Sequence, residues 1–311
     1  MSSLRTSRFG RASVDNSYEQ ILIPSDGSRG VETAVLHGVS LALEYGATIH
    51  TIHVVEMNGE HGESASHRFS RGDEWDAAAA VEPVLHRAHA TGLNVIPAVE
   101  RGRPVGVIRN YAIENDIDLI VLGTHKRTGL ARFLQHSVVE QMLEDAPVPV
   151  LVVGKNHAPD TEEDTSTRRY SDVLVATDGC ERASVALEHG LEVARRFGAT
   201  LHGLFVVDQR AYMTKPGFTW DEAIDSWNVR GNRVLADVVE RAAAFDLDVR
   251  TTLAHGRPPK ETLEYVTEND VDFVVLGTRE LAGVSRLLWG SVATRVVRDA
   301  NVPVLSVNRV I

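Results

Sequence analysis

The feature that most constrains this chain is an internal repeat that spans most of its length. Five blocks of the N-terminal part recur in the same order: ILIPSDGS (21–28) as VLVATDGC (173–180), EYGATIHTIHVVE (44–56) as RFGATLHGLFVVD (196–208), ERGRP (100–104) as AHGRP (254–258), ENDIDLIVLGTH (114–125) as ENDVDFVVLGTR (268–279), and DAPVPVLVV (145–153) as DANVPVLSV (299–307). The first two blocks are offset by 152 residues and the other three by 154. This order and spacing predict two copies of one domain, at 18–154 and 170–311.

The segments outside the two copies lack an apolar pattern. Residues 1–17 contain Arg and Ser but no apolar core, so we interpret them as a flexible arm rather than a secretory signal. Residues 155–169 are polar and charged, with almost nothing to bury, which is typical of a linker.

Within each copy, short runs rich in Ile and Val alternate with helical patterns. In the first copy the runs are QILIPS, ATIHTIHVV, LNVIPAV, DLIVLGT and VPVLVV. Runs that are apolar at nearly every position are typical of strands covered on both faces. The segments between them predict helices at about 29–45, 73–91, 104–115 and 137–146. The alternation predicts an α/β fold class, with two tandem doubly wound, parallel, five-stranded sheets that form Rossmann-like sandwiches.

Composition excludes several classes of function. The chain carries 43 acidic and 32 basic side chains, and this net charge of −11 counts against a broad nucleic-acid interface. No apolar run approaches the roughly 20 residues that span a bilayer, so no membrane association is predicted. The single cysteine, Cys180, excludes an internal disulfide and a multi-cysteine metal cluster. A cytoplasmic protein without a metal site is the expectation.

The fold class also predicts where a ligand binds. In a doubly wound sheet, ligands bind beyond the carboxyl ends of the strands, at the point where the strand order reverses. In each copy, that edge brings together an Asp-Gly turn after the first strand, the end of the second strand, and a long loop after the fourth strand. We call each of these two predicted sites a crevice.

The loop after the fourth strand carries a resemblance to a known family. It reads GTHKRTGLARFLQHSVVE at 123–140 and GTRELAGVSRLLWGSVATRVV at 277–297. The succession of strand, GT(H/R), loop, (G/H)SV, helix and VPVL strand resembles the universal stress proteins, the UspA-like family. The opening Asp-Gly and the GATxH of the second strand agree with it. The resemblance covers both copies, so it implies a tandem two-domain member with an adenine-nucleotide alpha-hydrolase-like fold.

The resemblance implies that ATP, AMP or another small anion binds in one or both crevices. Family members that bind nucleotide resemble one another in the pattern Gly-x2-Gly-x9-Gly-(Ser/Thr), in which backbone amides at a helix N-terminus meet phosphates. An Asp after the first strand meets the adenine and ribose, and a Val at the end of the second strand packs on the base. The matching positions are Asp26, Val54, Gly123 and Ser137 in the first copy, and Asp178, Val206, Gly277, Gly290 and Ser291 in the second.

Three positions depart from the family pattern. Lys126 and His136 replace glycines in the first copy, and Glu280 replaces one in the second. A lysine is electrostatically compatible with an anion. A carboxylate ~4 Å from one phosphate charge costs ~4 kcal/mol at an effective dielectric near 20. The first copy therefore has the better charge, whereas the second keeps more of the glycine pattern.

Structural alternatives stand beside the binding interpretation. Asp26 and Asp178 are also suited to capping the helix that follows, and Ser137 and Ser291 are natural N-caps. Two hypotheses for function stay open: a stress-response protein that binds an adenine nucleotide, and a degenerate scaffold that acts through protein contacts. The chain lacks the GxSxG, Walker and GxGxxG motifs, so no catalytic residue is predicted and slow ATP hydrolysis is the most that relatives imply.

The final strand of each copy predicts an association within the chain. In relatives, edge strands of the VPVLVV type pair across a dimer, and an exposed apolar edge needs a cover. We therefore expect residues 148–153 to pair with 302–307, so that one chain forms a pseudo-dimer. The family resemblance also implies a homodimer of the whole chain.

Overall fold

The computed structural model describes residues 17–56, 71–124, 137–154, 169–208, 220–278 and 292–308. Among these residues, no helix combines the length and the hydropathy that a membrane span requires.

Strands and helices alternate through both halves of the described chain, in the order that the repeat predicts. The first half comprises β1 (Gln20–Pro24), α1 (Arg29–Tyr45), β2 (Thr48–Val55), α2 (Arg71–Ala90), β3 (Val95–Arg101), α3 (Pro104–Glu114), β4 (Leu119–Gly123), α4 (Val138–Asp145) and β5 (Val150–Val153). The second half comprises β6 (Asp172–Ala176), α5 (Glu181–Phe197), β7 (Thr200–Asp208), α6 (Trp220–Ala243), β8 (Val249–Gly256), α7 (Pro258–Glu268), β9 (Phe273–Gly277), α8 (Val292–Asp299) and β10 (Val304–Val307). The four helices predicted for the first copy are confirmed to within two residues at each end.

The strands form one sheet in the order β3-β2-β1-β4-β5-β10-β9-β6-β7-β8. Within each half every pair is parallel. The strand order reverses between β1 and β4, and again between β6 and β9. The doubly wound parallel arrangement predicted for each copy is therefore confirmed, and both switch points are where the crevices were expected.

The two halves meet at β5 and β10, which pair antiparallel. Leu151 lies opposite Leu305, and Val152 lies opposite Val304. The predicted pairing of the final strands within one chain is thus confirmed, and the two five-stranded sheets become one continuous sheet. Because the junction is antiparallel, the strands of the two halves run in opposite directions. The carboxyl ends of the strands, and with them the two crevices, consequently lie at opposite ends of the strands of the sheet.

One face of the sheet has a core that both halves share. A single cluster of buried residues includes Val35 and Val153 of the first half and Leu187 and Val307 of the second. On the other face there are two clusters, one beneath α3 and α4 and one beneath α7 and α8. Val297 of α8 packs against both of these clusters. Apolar burial therefore joins the halves on both faces.

Two reciprocal hydrogen bonds also join the halves inside the shared core. The Tyr18 hydroxyl lies 2.9 Å from Nδ1 of His189, and the Tyr170 hydroxyl lies 2.7 Å from Nδ1 of His37. All four side chains are buried. Each tyrosine and each histidine is offset from its counterpart by 152 residues, so the two bonds are related by the approximate two-fold symmetry of the repeat.

Candidate nucleotide crevices

Each half places an acidic turn directly after its first strand. The Asp26 carboxylate accepts a hydrogen bond from the Ser28 amide at 2.9 Å, and the Asp178 carboxylate accepts one from the Cys180 amide at 3.0 Å. An Asp bonded to the N–H two residues ahead forms an Asx turn. This turn holds each carboxylate at the carboxyl edge of the sheet, where both aspartates are exposed.

The capping alternative for the two aspartates is wrong, because other residues are the N-caps. Ser28 is the N-cap of α1, and Cys180 is the N-cap of α5. The Cys180 Sγ accepts a hydrogen bond from the Ala183 amide at 3.5 Å. The physical reason is that the Asp-Gly turn comes before the helix can begin, so Asp26 and Asp178 lie two residues before the N-caps.

The glycine of each Asp-Gly turn packs against the second helix of its half, which is α2 in the first half and α6 in the second. Gly27 has φ +73° and Gly179 has φ +72°, a left-handed conformation that favours glycine. A Cβ on Gly27 would lie 3.1 Å from Cα of Ala80, and a Cβ on Gly179 would lie 2.4 Å from a methyl carbon of Val234. Ala80 of α2 and Val234 of α6 therefore occupy equivalent positions, which fixes the correspondence of the two helices at an offset of 154.

The glycine that ends the fourth strand has a packing role in both halves. A Cβ on Gly123 would lie 2.2 Å from the Gly30 carbonyl oxygen, and one on Gly277 would lie 3.0 Å from the Arg182 carbonyl oxygen. Since both contacts are with backbone, each glycine lets the helix approach the sheet closely, and the approach is closer at Gly123 than at Gly277. The sequence analysis explained these glycines by the room they leave for phosphate. Close packing of the helix on the sheet is a second explanation for them.

The valines at the ends of the second strands lie next to the crevices. Val54 of β2 is in register with Glu100, and Val206 of β7 is in register with Ala254. Both valines are half-buried, and they pack against the clusters beneath α3 and α7 respectively. Each valine thus combines a contact with the core and a partly exposed surface near the strand end.

The loop after the fourth strand is described only at its two ends. Ser137 is the N-cap of α4, where its hydroxyl accepts a bond from the Glu140 amide at 3.2 Å and the Glu140 carboxylate accepts one from the Ser137 amide at 3.3 Å. The capping alternative for Ser137 is therefore confirmed as a capping box. The other predicted positions of the loops lie outside the described residues: Lys126, His136, Glu280, Gly290 and Ser291.

The second crevice contains an arginine that sequence reasoning missed, at the start of α5. Nη1 of Arg182 donates to the carbonyl oxygen of Thr278 at 3.4 Å. Thr278 follows β9 directly, and its amide donates to the Val307 carbonyl at 3.0 Å. The guanidinium is thus held beside the end of β9, on the side of the crevice that leads to the long loop. The offset of the repeat gives Gly30 as the counterpart of Arg182 in the first half.

A second arginine lies on the other side of the same Asp-Gly turn. Nη2 of Arg230 donates to the Asp178 carbonyl oxygen at 3.0 Å, and the guanidinium carbon lies 5.1 Å from the centre of the Trp227 ring. Next to it, Nε2 of His255 lies 2.8 Å from Oδ1 of Asn228. These contacts tie α6 to the ends of β6 and β8. An alignment of α2 with α6 would have marked Arg230 as a difference between the halves, but the two helices share little sequence.

The Asp-Gly turn of the first crevice is held by different hydrogen bonds. The Ser25 hydroxyl donates to the carbonyl oxygen of Ala80, and Nδ1 of His53 lies 2.9 Å from the carbonyl oxygen of Ser25. Ser25 is buried and His53 is half-buried. Neither of these two contacts involves an arginine. The hydrogen bonds described at this turn thus differ from those that Arg182 and Arg230 make in the second half.

Comparison with known proteins agrees with this architecture. The sequence profile of the universal stress protein family matches residues 17–154 and again residues 169–308. A universal stress protein of Methanocaldococcus jannaschii is 29% identical over 141 residues, which is 45% of this chain and 83% of the relative. One from Mycobacterium tuberculosis is 27% identical over 195 residues, 62% of each chain.

Solved structures show the same fold over nearly the whole chain. The crystal structure of a universal stress protein from Archaeoglobus fulgidus superposes with a TM-score of 0.68 at 21% identity, covering 96% of this chain and 98% of that one. The repeated strand order, the antiparallel junction and the double match to the family profile lead to one conclusion. The chain is a tandem member of the universal stress protein family.

Proposed function

We propose that this protein binds an adenine nucleotide, ATP or AMP, at the carboxyl edge of its parallel strands, and that binding serves a stress response. The observation that carries the proposal is the equivalent arrangement in both halves. In each, an Asx-turn aspartate, a half-buried valine and a strand-ending glycine lie at one switch point. Asp26, Val54, Gly123 and Ser137 would contribute to the first site. Asp178, Val206, Gly277, Gly290 and Ser291 would contribute to the second.

The chemistry of these groups suits a nucleoside phosphate. A carboxylate held at a strand end accepts hydrogen bonds from ribose hydroxyls or from the adenine amino group. The amides at the start of α4 and α8 are donors that favour an anion. The partly exposed valine offers an apolar surface for a base. Described residues supply no group of three or more His, Cys, Asp or Glu side chains able to hold a metal ion.

Isothermal titration of the purified chain with ATP and with AMP tests the proposal. We expect heat from at least one of the two nucleotides. Absence of binding with a Kd below about 1 mM, corresponding to about −4 kcal/mol, would reject it. Substituting Asp178→Ala and Asp26→Ala separately then assigns the heat to one crevice or the other.

A second candidate function is a scaffold that acts through protein contacts. It is favoured by the packing role of Gly123 and Gly277, because their close contacts with α1 and α5 explain both glycines without a ligand. Denaturing the purified protein and analysing the supernatant by mass spectrometry separates the two candidates. Release of stoichiometric adenine nucleotide would exclude a scaffold that has lost nucleotide binding.

Association and cell location remain expectations of the family resemblance. Since β5 and β10 pair with each other, a homodimer of the whole chain would have to use other surfaces. Sedimentation equilibrium tests whether it forms. We also expect a cytoplasmic location, which fractionation of the source cells would check.

A further inference from the structure

We infer that Arg182 and Arg230 make the second crevice the principal site for a phosphorylated ligand, and that the first crevice binds such a ligand much more weakly. This inference rests on the proposed function, because it assigns that function to one half of a duplicated fold. It concerns the ligand's phosphate groups, whatever base they carry.

Arg182 lies beside the end of β9. Its guanidinium donates to the Thr278 carbonyl at 3.4 Å, at the residue where β9 ends and the long loop begins. Arg182 is half-buried, and its own carbonyl packs against Gly277. A half-buried arginine is screened by water less than an exposed one, so its attraction for an anion is stronger.

Arg230 approaches the same turn from the opposite side. One of its N–H groups donates to the Asp178 carbonyl at 3.0 Å, and its guanidinium carbon lies 5.1 Å from the centre of the Trp227 ring. A guanidinium has five N–H donors in a rigid fork, and a hydrogen bond together with a cation–π contact restricts its orientation. Arg230 is therefore a preorganised cation beside the Asp-Gly turn, and it can bind an anion without losing much side-chain entropy.

The first half lacks both cations at the equivalent positions. The counterpart of Arg182 is Gly30, the second residue of α1. The correspondence of Val234 with Ala80 aligns position 230 with position 76, where the sequence has Asp rather than Arg. At these two aligned positions the second half therefore has arginines and the first half has none.

The consequence for binding is a preference that can be measured. A hydrogen bond to a charged group contributes enough that its loss weakens binding by about tenfold or more. Removal of both arginines should then weaken ATP binding by about a hundredfold. AMP, which carries fewer phosphate charges than ATP, should be affected less.

The experiment is isothermal titration of the full chain with ATP, and separately with tripolyphosphate, in which no base is present. We compare the wild-type chain, the double variant Arg182→Gln with Arg230→Gln, and the control Arg250→Gln. Arg250 is an exposed arginine of the same half, in register with His202 near the start of β7 and far from the strand ends that form the crevice. Circular dichroism checks that each variant is folded.

We expect one strong ATP site per wild-type chain, a loss of about a hundredfold in the double variant, and wild-type affinity in the control. If the double variant does not fold, Arg230→Gln alone, on an exposed side chain, should still lose about tenfold. Equal binding by variant and wild type, or two equal sites per chain, would overturn the inference and leave the proposed function standing. If tripolyphosphate binds only when the arginines are present, and neither ATP nor AMP binds, the proposed nucleotide function is rejected and the phosphate site is retained. Binding of none of these ligands would reject both.

Discussion

The two halves of this molecule keep the same buried contacts and differ at the edges of their crevices. In the interior, His50 bonds the Tyr111 hydroxyl at 2.9 Å, and its counterpart His202 bonds the Tyr265 hydroxyl at 3.0 Å. At the crevice, the second half has Arg182 where the first has Gly30. The buried histidine–tyrosine contact is thus the same in both halves. The residue at the start of the first helix, beside the crevice, differs between them.

Even in the interior one partner has changed. Nε2 of His50 lies 2.9 Å from Oε1 of Gln20, whereas Nε2 of His202 lies 2.9 Å from Oδ1 of Asp172. A neutral pair in the first half thus corresponds to a pair with a carboxylate in the second. The corresponding distances agree to within 0.1 Å, so the exchange of Gln20 for Asp172 keeps both hydrogen bonds of the histidine.

The strand-ending glycines offer the largest test of equivalence between the halves. Gly123→Ala should destabilise the chain by about 3 kcal/mol, because its Cβ would overlap the Gly30 carbonyl oxygen, and backbone cannot move aside easily. Gly277→Ala should cost only about 1 kcal/mol, since its Cβ would lie 3.0 Å from the Arg182 carbonyl. Urea denaturation of both variants measures the two losses. Equal losses would mean that the two halves pack their fourth strands alike.

Acid should weaken the bond between Tyr18 and His189 that joins the halves. Burial lowers the pKa of His189 from 6.5 to about 4, so the unfolded chain binds more protons than the folded chain between these values. This contribution to stability is complete above pH 6.5 and is lost as the pH falls toward 4, by on the order of 3 kcal/mol. Urea denaturation at a series of pH values from 7 to 4 measures the loss.

The matched variant for this prediction is His189→Gln, which cannot titrate but keeps a hydrogen-bonding side chain. It should flatten the dependence of stability on pH. A smaller slope in the same direction should remain, because burial also lowers the pKa of His50. If the variant and the wild-type chain have the same slope, His189 is not the group that links stability to pH.

The exchange of Gln20 for Asp172 should have the smallest effect. Burial raises the pKa of Asp272, and the neighbouring Asp172 carboxylate raises it further. Asp172→Asn, which gives the second half a neutral amide like that of the first, should lower the pKa of Asp272 and change stability by about 1 kcal/mol or less. Titration of side-chain carboxyl signals by NMR measures the pKa. An unchanged value would show that Asp172 does not influence its neighbour.

The sequence was sufficient for the features that repeat along the chain. The alternation of apolar runs with helical patterns predicted α1 at its observed bounds, and the Asp-Gly turns were located correctly at the strand ends. These features depend on local patterns of burial and on backbone conformation, which neighbouring residues determine. The site residues taken from the family pattern remain predictions, and those in the long loops lie outside the described residues.

The residues that sequence reasoning missed are those whose roles depend on distant partners. Arg230 contacts the carbonyl of Asp178, 52 residues away, and Tyr18 contacts His189, 171 residues away. No local pattern distinguishes these side chains from other arginines or tyrosines. Gly123 shows the same limit, because its closest neighbour, the Gly30 carbonyl, belongs to a helix that lies far away in the sequence.

By itself, the sequence determined that this protein is a duplicated α/β unit with a candidate ligand site after the first strand of each copy. This was possible because the alternation of apolar and polar residues and the repeated order of blocks can be recognised in the sequence. Only the tertiary structure decided how the two copies differ. The sheet continues through β5 and β10, the crevices lie at opposite ends of its strands, and Arg182 and Arg230 each contact the backbone beside the second crevice. The physical reason is that the charge and shape of a crevice depend on side chains from separate elements, and folding brings those side chains within contact distance.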